Sequence, residues 1–79
     1  MELEVAFGQV LRRLRTERGL TQEGLALDAG IARNYVSLLE LGQYGASLNM
    51  IFKLAGALGV LPEDLVRMAR EIEEMDSLS

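Results

Sequence analysis

Residues 20–42 constrain the fold of this 79-residue chain more tightly than any other segment. Two short apolar stretches flank Gly30, and glycine tolerates the positive φ angle that a tight turn between two helices requires. Ala26 is small, so a second helix can approach the first closely. Val36 and Leu39 stand three residues apart and predict one apolar stripe on that second helix. The segment is therefore predicted to form two short helices that cross at a tight turn.

The second of these helices has a face that the core does not use. If Val36 and Leu39 point inward, Arg33 and Asn34 near the start of the helix are free to enter a DNA major groove. This arrangement predicts a helix-turn-helix that binds double-stranded DNA.

The composition favours an all-α fold, because leucine, alanine, glutamate and arginine abound and Pro62 is the single proline. The chain has no cysteine and no histidine, which excludes thiolate metal sites and removes the commonest acid–base catalyst. The acidic pairs Glu63-Asp64 and Glu73-Glu74 would diverge on a helix instead of converging on one substrate. We therefore expect no enzyme activity, no metal, no cofactor and no small-molecule ligand.

Hydropathy and the amino terminus both argue against a membrane. No apolar run approaches the roughly 20 residues that a membrane-spanning helix needs. Residues 1–4 include two glutamates, which is unlike the start of a signal peptide. We expect a cytoplasmic protein with no membrane partner.

The net charge of −4 is unevenly distributed along the chain. Residues 1–53 carry six basic and six acidic side chains, whereas residues 54–79 carry two basic and six acidic ones. A net negative charge disfavours nucleic-acid binding in general. Here the whole deficit lies in the C-terminal third, which suits a protein that meets DNA with one face.

Five helices are predicted from apolar periodicity and from capping residues. Thr21 and Ser47 are expected N-caps, and Pro62 with the acidic residues after it marks the start of the last helix. Asp76–Ser79 is expected to be a frayed tail. The predicted helices span about residues 4–18, 22–29, 32–41, 48–58 and 62–75. The predicted core face of the fourth helix consists of Leu48, Ile51, Leu54, Ala55 and Leu58.

Several short motifs occur together in one register: Leu14-Arg15, residues 18–23, Leu25-Ala26, Gly30, residues 35–37, Glu40, Gly42, Ser47-Leu48 and residues 53–60. In these motifs, over about residues 7–66, the chain resembles the family of phage Cro and lambda-type repressors, also called the xenobiotic-response-element family. The resemblance implies a lambda-repressor-like DNA-binding fold, a compact five-helix domain that fills residues 1–79. Size and helix count are also similar to those of the controller proteins of restriction–modification systems.

The resemblance also implies roles for individual residues. Gln22 matches the position that hydrogen-bonds a phosphate at the start of the second helix. Arg33 and Asn34 match base-reading positions, where arginine pairs with guanine and asparagine with adenine through two hydrogen bonds each. Arg15 and Glu40 match an ion pair that ties the first helix to the third. Tyr35 and Ser37 match positions that usually touch the backbone or a base edge, and the full set of predicted DNA contacts is Gln22, Ala32, Arg33, Asn34, Tyr35, Ser37 and Leu38.

Two departures from the family pattern leave an alternative function open. Leu38 and Leu41 are expected on the outer face of the third helix, where they could touch thymine methyl groups or form a protein-binding patch. Residues 43–46 contain no lysine or arginine for phosphates, so affinity per monomer should be low. The alternative is a helical protein–protein interaction module that no longer binds DNA and uses Leu38, Leu41 and Tyr44.

The C-terminal third carries more apolar side chains than a core of this size can cover, namely Phe52, Leu61, Val66, Met68, Ala69, Ile72 and Met75. The inner part of the apolar stripe on the fifth helix is expected to pack on the fourth helix. Its surplus needs a partner, which favours a homodimeric transcriptional regulator on a palindromic operator. The fifth helix and tail, residues 62–79, are the expected dimerisation segment. The expected interface residues are Phe52, Met68, Ile72 and Met75.

Overall fold

The computed structural model describes the backbone of residues 1–78 and the side chains of residues 1–76. Over this range the chain forms five helices and no strand, which confirms the predicted all-α fold. The helices are α1 Leu3–Glu17, α2 Gln22–Ala29, α3 Arg33–Glu40, α4 Leu48–Leu58 and α5 Pro62–Leu78. The first four agree with the predicted bounds to within one residue at each end.

Local capping signals place the starts of α2 and α4. Thr21 Oγ1 accepts a hydrogen bond from the Gly24 backbone N–H at 2.9 Å, and Ser47 Oγ accepts one from Met50 at 3.1 Å. Each bond satisfies one of the amide groups that a helix start leaves without a partner. Gly30 ends α2 in the left-handed region with φ 70°. Both predicted N-caps and the predicted turn glycine are confirmed.

All five helices contribute to one core. Val36 and Leu39 are 0% and 1% exposed, so the predicted apolar stripe of α3 is confirmed. The prediction for Leu48 is wrong, because its side chain is 70% exposed. Leu48 is the first residue of α4, and periodicity shows which side of a helix is apolar but not how far the neighbouring helices extend. The largest fully buried side chains are Leu11, Leu25, Leu39, Leu54, Leu58, Leu65, Val10 and Val36.

α1 meets the end of α3 at Gly8. A Cβ atom at this position would lie 2.8 Å from the Glu40 carbonyl oxygen and closer still to that of Leu39. Glycine inside a helix costs about 0.5–1 kcal/mol relative to alanine. The close approach of the two backbones explains why α1 nevertheless has glycine here. No local sequence pattern marks Gly8 as a site of close contact.

α5 packs mainly along α1 and less extensively against α4, whereas α4 was its predicted support. Leu65 and Ala69 are buried, and Met68 and Ile72 are partly buried against the core. α5 is therefore an integral part of the monomer. None of the helices within residues 1–78 has the length and hydropathy to cross a bilayer.

The frayed tail predicted from Asp76 onward is wrong, because α5 continues through Leu78. The amino-terminal ammonium of Met1 forms an ion pair with Asp76, which ties the start of the chain to the end of α5. Residue 79 of the predicted tail lies outside the described residues.

Candidate nucleic-acid interface

The start of α2 and the exposed side of α3 form a shallow polar concavity. It is lined by Gln22, the first residue of α2, and by Arg33, Asn34 and Ser37 of α3. Arg33 and Asn34 are exposed, whereas Gln22 and Ser37 are half-buried. We call these four residues the recognition surface. The structure thus brings together four of the seven predicted DNA contacts.

The rotation of α3 about its axis follows from its core contacts. Val36 and Leu39 are buried on one side, so residues three or four positions apart on the opposite side share the exposed face. Arg33 and Ser37 are four apart, and Asn34 and Ser37 are three apart. None of these polar side chains is needed in the core, and all can face a DNA groove.

Two of the remaining predicted contacts lie beside the recognition surface. Ala32 is the exposed N-cap residue of α3. Tyr35 is 45% exposed, and its ring centroid lies 6.2 Å from that of Tyr44, with the ring planes inclined by 55°. Tyr44 therefore supports the Tyr35 ring from the loop that follows α3.

The prediction that Leu38 is exposed is wrong, because Leu38 is half-buried. The chain folds back directly after α3, and the Gln43 N–H donates to the Leu38 carbonyl oxygen at 3.1 Å. A helical wheel cannot anticipate this reversal. Leu41 is 63% exposed, as predicted.

An ion pair joins α1 to the end of α3. Arg15 Nε and Nη2 donate to the two carboxylate oxygens of Glu40 at 2.6 and 3.0 Å. Arg15 Nη1 also donates to the Leu20 carbonyl oxygen at 2.8 Å. The two side chains are only 12% and 4% exposed, and the hydrogen bonds to Glu40 raise the pKa of Arg15. The ion pair implied by the family resemblance is thus present as a bidentate contact that is largely shielded from solvent.

Gln22 belongs to the same network. Its Nε2 donates to Glu40 Oε1 at 3.1 Å, so the amide that faces the concavity is also anchored to the core side of α3. No sequence pattern indicates this bond, because Gln22 and Glu40 are 18 residues apart on different helices. The bond depends on how α2 crosses α3, which no local pattern shows.

The sequence profile of the helix-turn-helix family matches residues 11–65, which include both α2 and α3. The chain belongs to this family. The predictions of a helix-turn-helix fold and of a DNA-binding transcriptional regulator are thereby confirmed.

Individual relatives of this helix-turn-helix protein agree with that assignment. The control protein C.BamHI of Bacillus amyloliquefaciens is 38% identical over 65 residues, which cover 81% of this chain and 80% of that protein. The restriction-modification controller protein C.AhdI from Aeromonas hydrophila is 52% identical, with a TM-score of 0.76 over 78% of this chain and 94% of that chain. The clp gene regulator ClgR from Corynebacterium glutamicum is 27% identical, with a TM-score of 0.90 over 99% and 83%.

The recognition surface of this helix-turn-helix protein is rich in hydrogen-bonding groups and poor in charge. Arg33 provides a planar set of donors, Asn34 a donor and an acceptor, and Ser37 a hydroxyl that can do either. Arg33 is the only charged residue among the four, and residues 43–46 of the following loop are uncharged. This surface is therefore better equipped for base edges than for many phosphates.

Proposed function

We propose that the protein acts as a homodimer on a palindromic operator, in the manner of a restriction–modification controller. The observation that carries the DNA-contacting role is the recognition surface, where Gln22, Arg33, Asn34 and Ser37 share one concave face at the start of α2 and α3. The controller role is supported by the names of two of the relatives described above, C.BamHI and C.AhdI. A cytoplasmic location accords with a cysteine-free regulator of this family.

The proposed contacts divide into two kinds. Arg33 and Asn34 read base edges, because both are exposed at the start of α3 and can form paired hydrogen bonds with guanine and adenine. Gln22 contacts a phosphate from the start of α2, where the backbone N–H groups of the helix favour an anion. Ala32 at the N-cap of α3, and Tyr35, Ser37 and Leu38 within α3, lie near enough to complete the interface.

Dimerisation is supported by an apolar groove between α4 and α5. It is lined mainly by Leu48, Ile51, Phe52, Pro62 and Val66, which we call the α4–α5 face. Leu48, Phe52 and Val66 are 70%, 59% and 47% exposed. Burying them against the same face of a second copy would remove this apolar surface from water and generate a two-fold axis.

The structure supports the four predicted dimer-interface residues unequally. Phe52 lines the groove of the proposed contact, whereas Met75 is outside it and is 70% exposed on the last turns of α5. Met68 and Ile72 pack against the core of their own monomer. A charge at Ile72 would therefore disturb the monomer as well as any dimer, and Phe52 is the better position for a test.

Dimerisation would also compensate for the low charge of the recognition surface, which limits the DNA affinity of a monomer. Two weak half-site contacts combine through effective concentration, which can strengthen binding by about 10²–10⁴. The two copies of α3 must then lie about 34 Å apart to enter successive major grooves.

Selection of bound sequences from a random DNA pool tests the proposal. The expected result is a two-fold symmetric motif with half-site centres about one helical turn apart. Enrichment of an asymmetric single site would contradict the dimer, and no enrichment at low salt would contradict sequence-specific DNA binding.

The alternative of a protein-binding module receives less support from the structure. Half-burial of Leu38 and the contact between Tyr44 and Tyr35 reduce the free apolar surface on which it depended. For the enzyme class, the described residues contain no group of three or more acidic, histidine or cysteine side chains that could hold a metal ion. We propose no catalytic role.

A further inference from the structure

Glu40 has a second partner besides the arginine of its ion pair. Its Oε1 accepts hydrogen bonds from both Arg15 Nη2 and Gln22 Nε2, and its Oε2 accepts from Arg15 Nε. The Glu40 side chain is 4% exposed, so it cannot itself reach a bound DNA. Gln22 can, because it lines the concavity with Arg33 and Asn34.

The chemistry of the carboxylate determines how the Gln22 amide is turned. A carboxylate paired with arginine only accepts hydrogen bonds, so Gln22 must direct its NH₂ group toward Glu40. One of the two amide hydrogens is used in that bond. The second N–H and the carbonyl Oε1 remain for an external ligand. Without Glu40 the terminal amide torsion of Gln22 would have a broad, roughly two-fold distribution.

We propose that Glu40 is a positioning residue for DNA recognition, which acts by holding the Gln22 amide in one orientation at the edge of the recognition surface. The role rests on the proposed DNA contact of Gln22. An amide that is already ordered in the free protein loses less conformational freedom when it binds. Ordering one such side chain changes affinity by roughly threefold to tenfold.

A double-mutant cycle between Glu40→Gln and Gln22→Ala tests the proposal through DNA affinity. Affinity is measured by fluorescence anisotropy on the operator selected with the wild-type protein, at a temperature where circular dichroism shows every variant folded. Glu40→Gln replaces an acceptor-only group with one that can also donate, which removes the constraint on Gln22. We expect it to weaken binding roughly threefold to tenfold per half-site in the wild-type background and not at all beside Gln22→Ala.

Arg15→Lys is the matched control. It keeps a positive charge beside Glu40 but loses the two-pronged geometry of the guanidinium. The carboxylate remains available to Gln22, so we expect a lower melting temperature and an unchanged DNA affinity. If Glu40→Gln does not fold, the paired change Arg15→Met with Glu40→Met takes its place in the cycle, because it leaves no charge buried without a partner.

Three results would overturn the positioning role: an unchanged affinity of Glu40→Gln, additive effects of Glu40→Gln and Gln22→Ala, or an equal loss of affinity in Arg15→Lys. The last would mean that Glu40 acts only through the stability of the fold. A wild-type protein without operator affinity would instead overturn the proposed function itself, so the two failures are distinguishable.

Discussion

The recognition surface and the α4–α5 face would bind their partners through different kinds of interaction. The recognition surface consists of four polar residues, and one of them is hydrogen-bonded to a carboxylate that is 4% exposed. The α4–α5 face presents Leu48, Phe52 and Val66 without any such anchor. Hydrogen bonds to DNA are directional, so their donors benefit from being held in place. Burial of apolar area is non-directional, so the second surface needs only exposure and a complementary partner.

α1 supports both surfaces from behind. It packs against α3 through the close backbone approach at Gly8, and it is the main support of α5. Disturbing α1 should therefore damage both regions together, whereas changes on either surface should separate their effects.

The largest expected effect comes from Gly8→Ala. The new methyl group would meet the carbonyl oxygens of Leu39 and Glu40, which are backbone atoms that cannot rotate away. We expect the free energy of unfolding to fall by about 3 kcal/mol, as measured by urea denaturation. This value is at the upper end of the usual cost of overpacking.

Gly56→Ala is the control for Gly8→Ala. It lies in α4, and a Cβ atom there meets open space. This substitution should stabilise the protein by about 0.5–1 kcal/mol. Equal and small effects at the two positions would show that the approach of α1 to α3 is not as tight as described.

Phe52→Glu should abolish pairing of the α4–α5 faces and leave the recognition surface intact. Phe52 is 59% exposed, so the monomer should remain folded while the charge prevents pairing of the α4–α5 faces. Operator affinity should fall at least about a hundredfold as avidity is lost, with a monomeric mass in sedimentation. Leu27→Glu adds the same charge at a residue that is 80% exposed on α2, and it should leave the dimer intact. A dimeric Phe52→Glu variant would refute the proposed interface.

Arg33→Ala should remove the preference at the base that Arg33 contacts without changing the fold, because Arg33 is exposed and lies outside the core. Loss of one two-pronged base contact costs about 1–3 kcal/mol per half-site. Competition with operators changed at each base position gives the measurement. Arg33→Lys retains the positive charge but lacks the planar guanidinium that forms two parallel hydrogen bonds. It should therefore bind DNA in general more tightly than Arg33→Ala without regaining the base preference. Wild-type preference in the alanine variant would exclude Arg33 as a base reader.

Gln22→Ala should have the smallest effect. We expect a loss of about 0.5–1.5 kcal/mol per half-site, equal for all operator sequences, because a phosphate contact carries no base information. The salt dependence of binding should stay unchanged, since glutamine carries no charge. A loss confined to one base position would assign Gln22 to a base edge instead.

Much of the fold was predictable because its signals are local. The caps at Thr21 and Ser47, the turn at Gly30 and the stripe of Val36 and Leu39 each depend on residues a few positions apart. Such patterns determine where helices begin and end and which side of each is apolar. They were sufficient to predict five helices and the side of α3 that carries Arg33 and Asn34.

Most of the features that escaped prediction depend on how separate helices are placed in space. Half-burial of Leu38 accompanies the chain reversal directly after α3, whereas exposure of Leu48 and continuation of α5 past Asp76 follow from where other segments lie. The same is true of the bond from Gln22 to Glu40, since its geometry requires α2 and α3 to cross at a particular angle. Periodicity therefore identified which residues could face DNA. Packing of the helices supplied the buried carboxylate that orients one of them, because a hydrogen bond of 3.1 Å depends on positions in space and not on spacing along the chain.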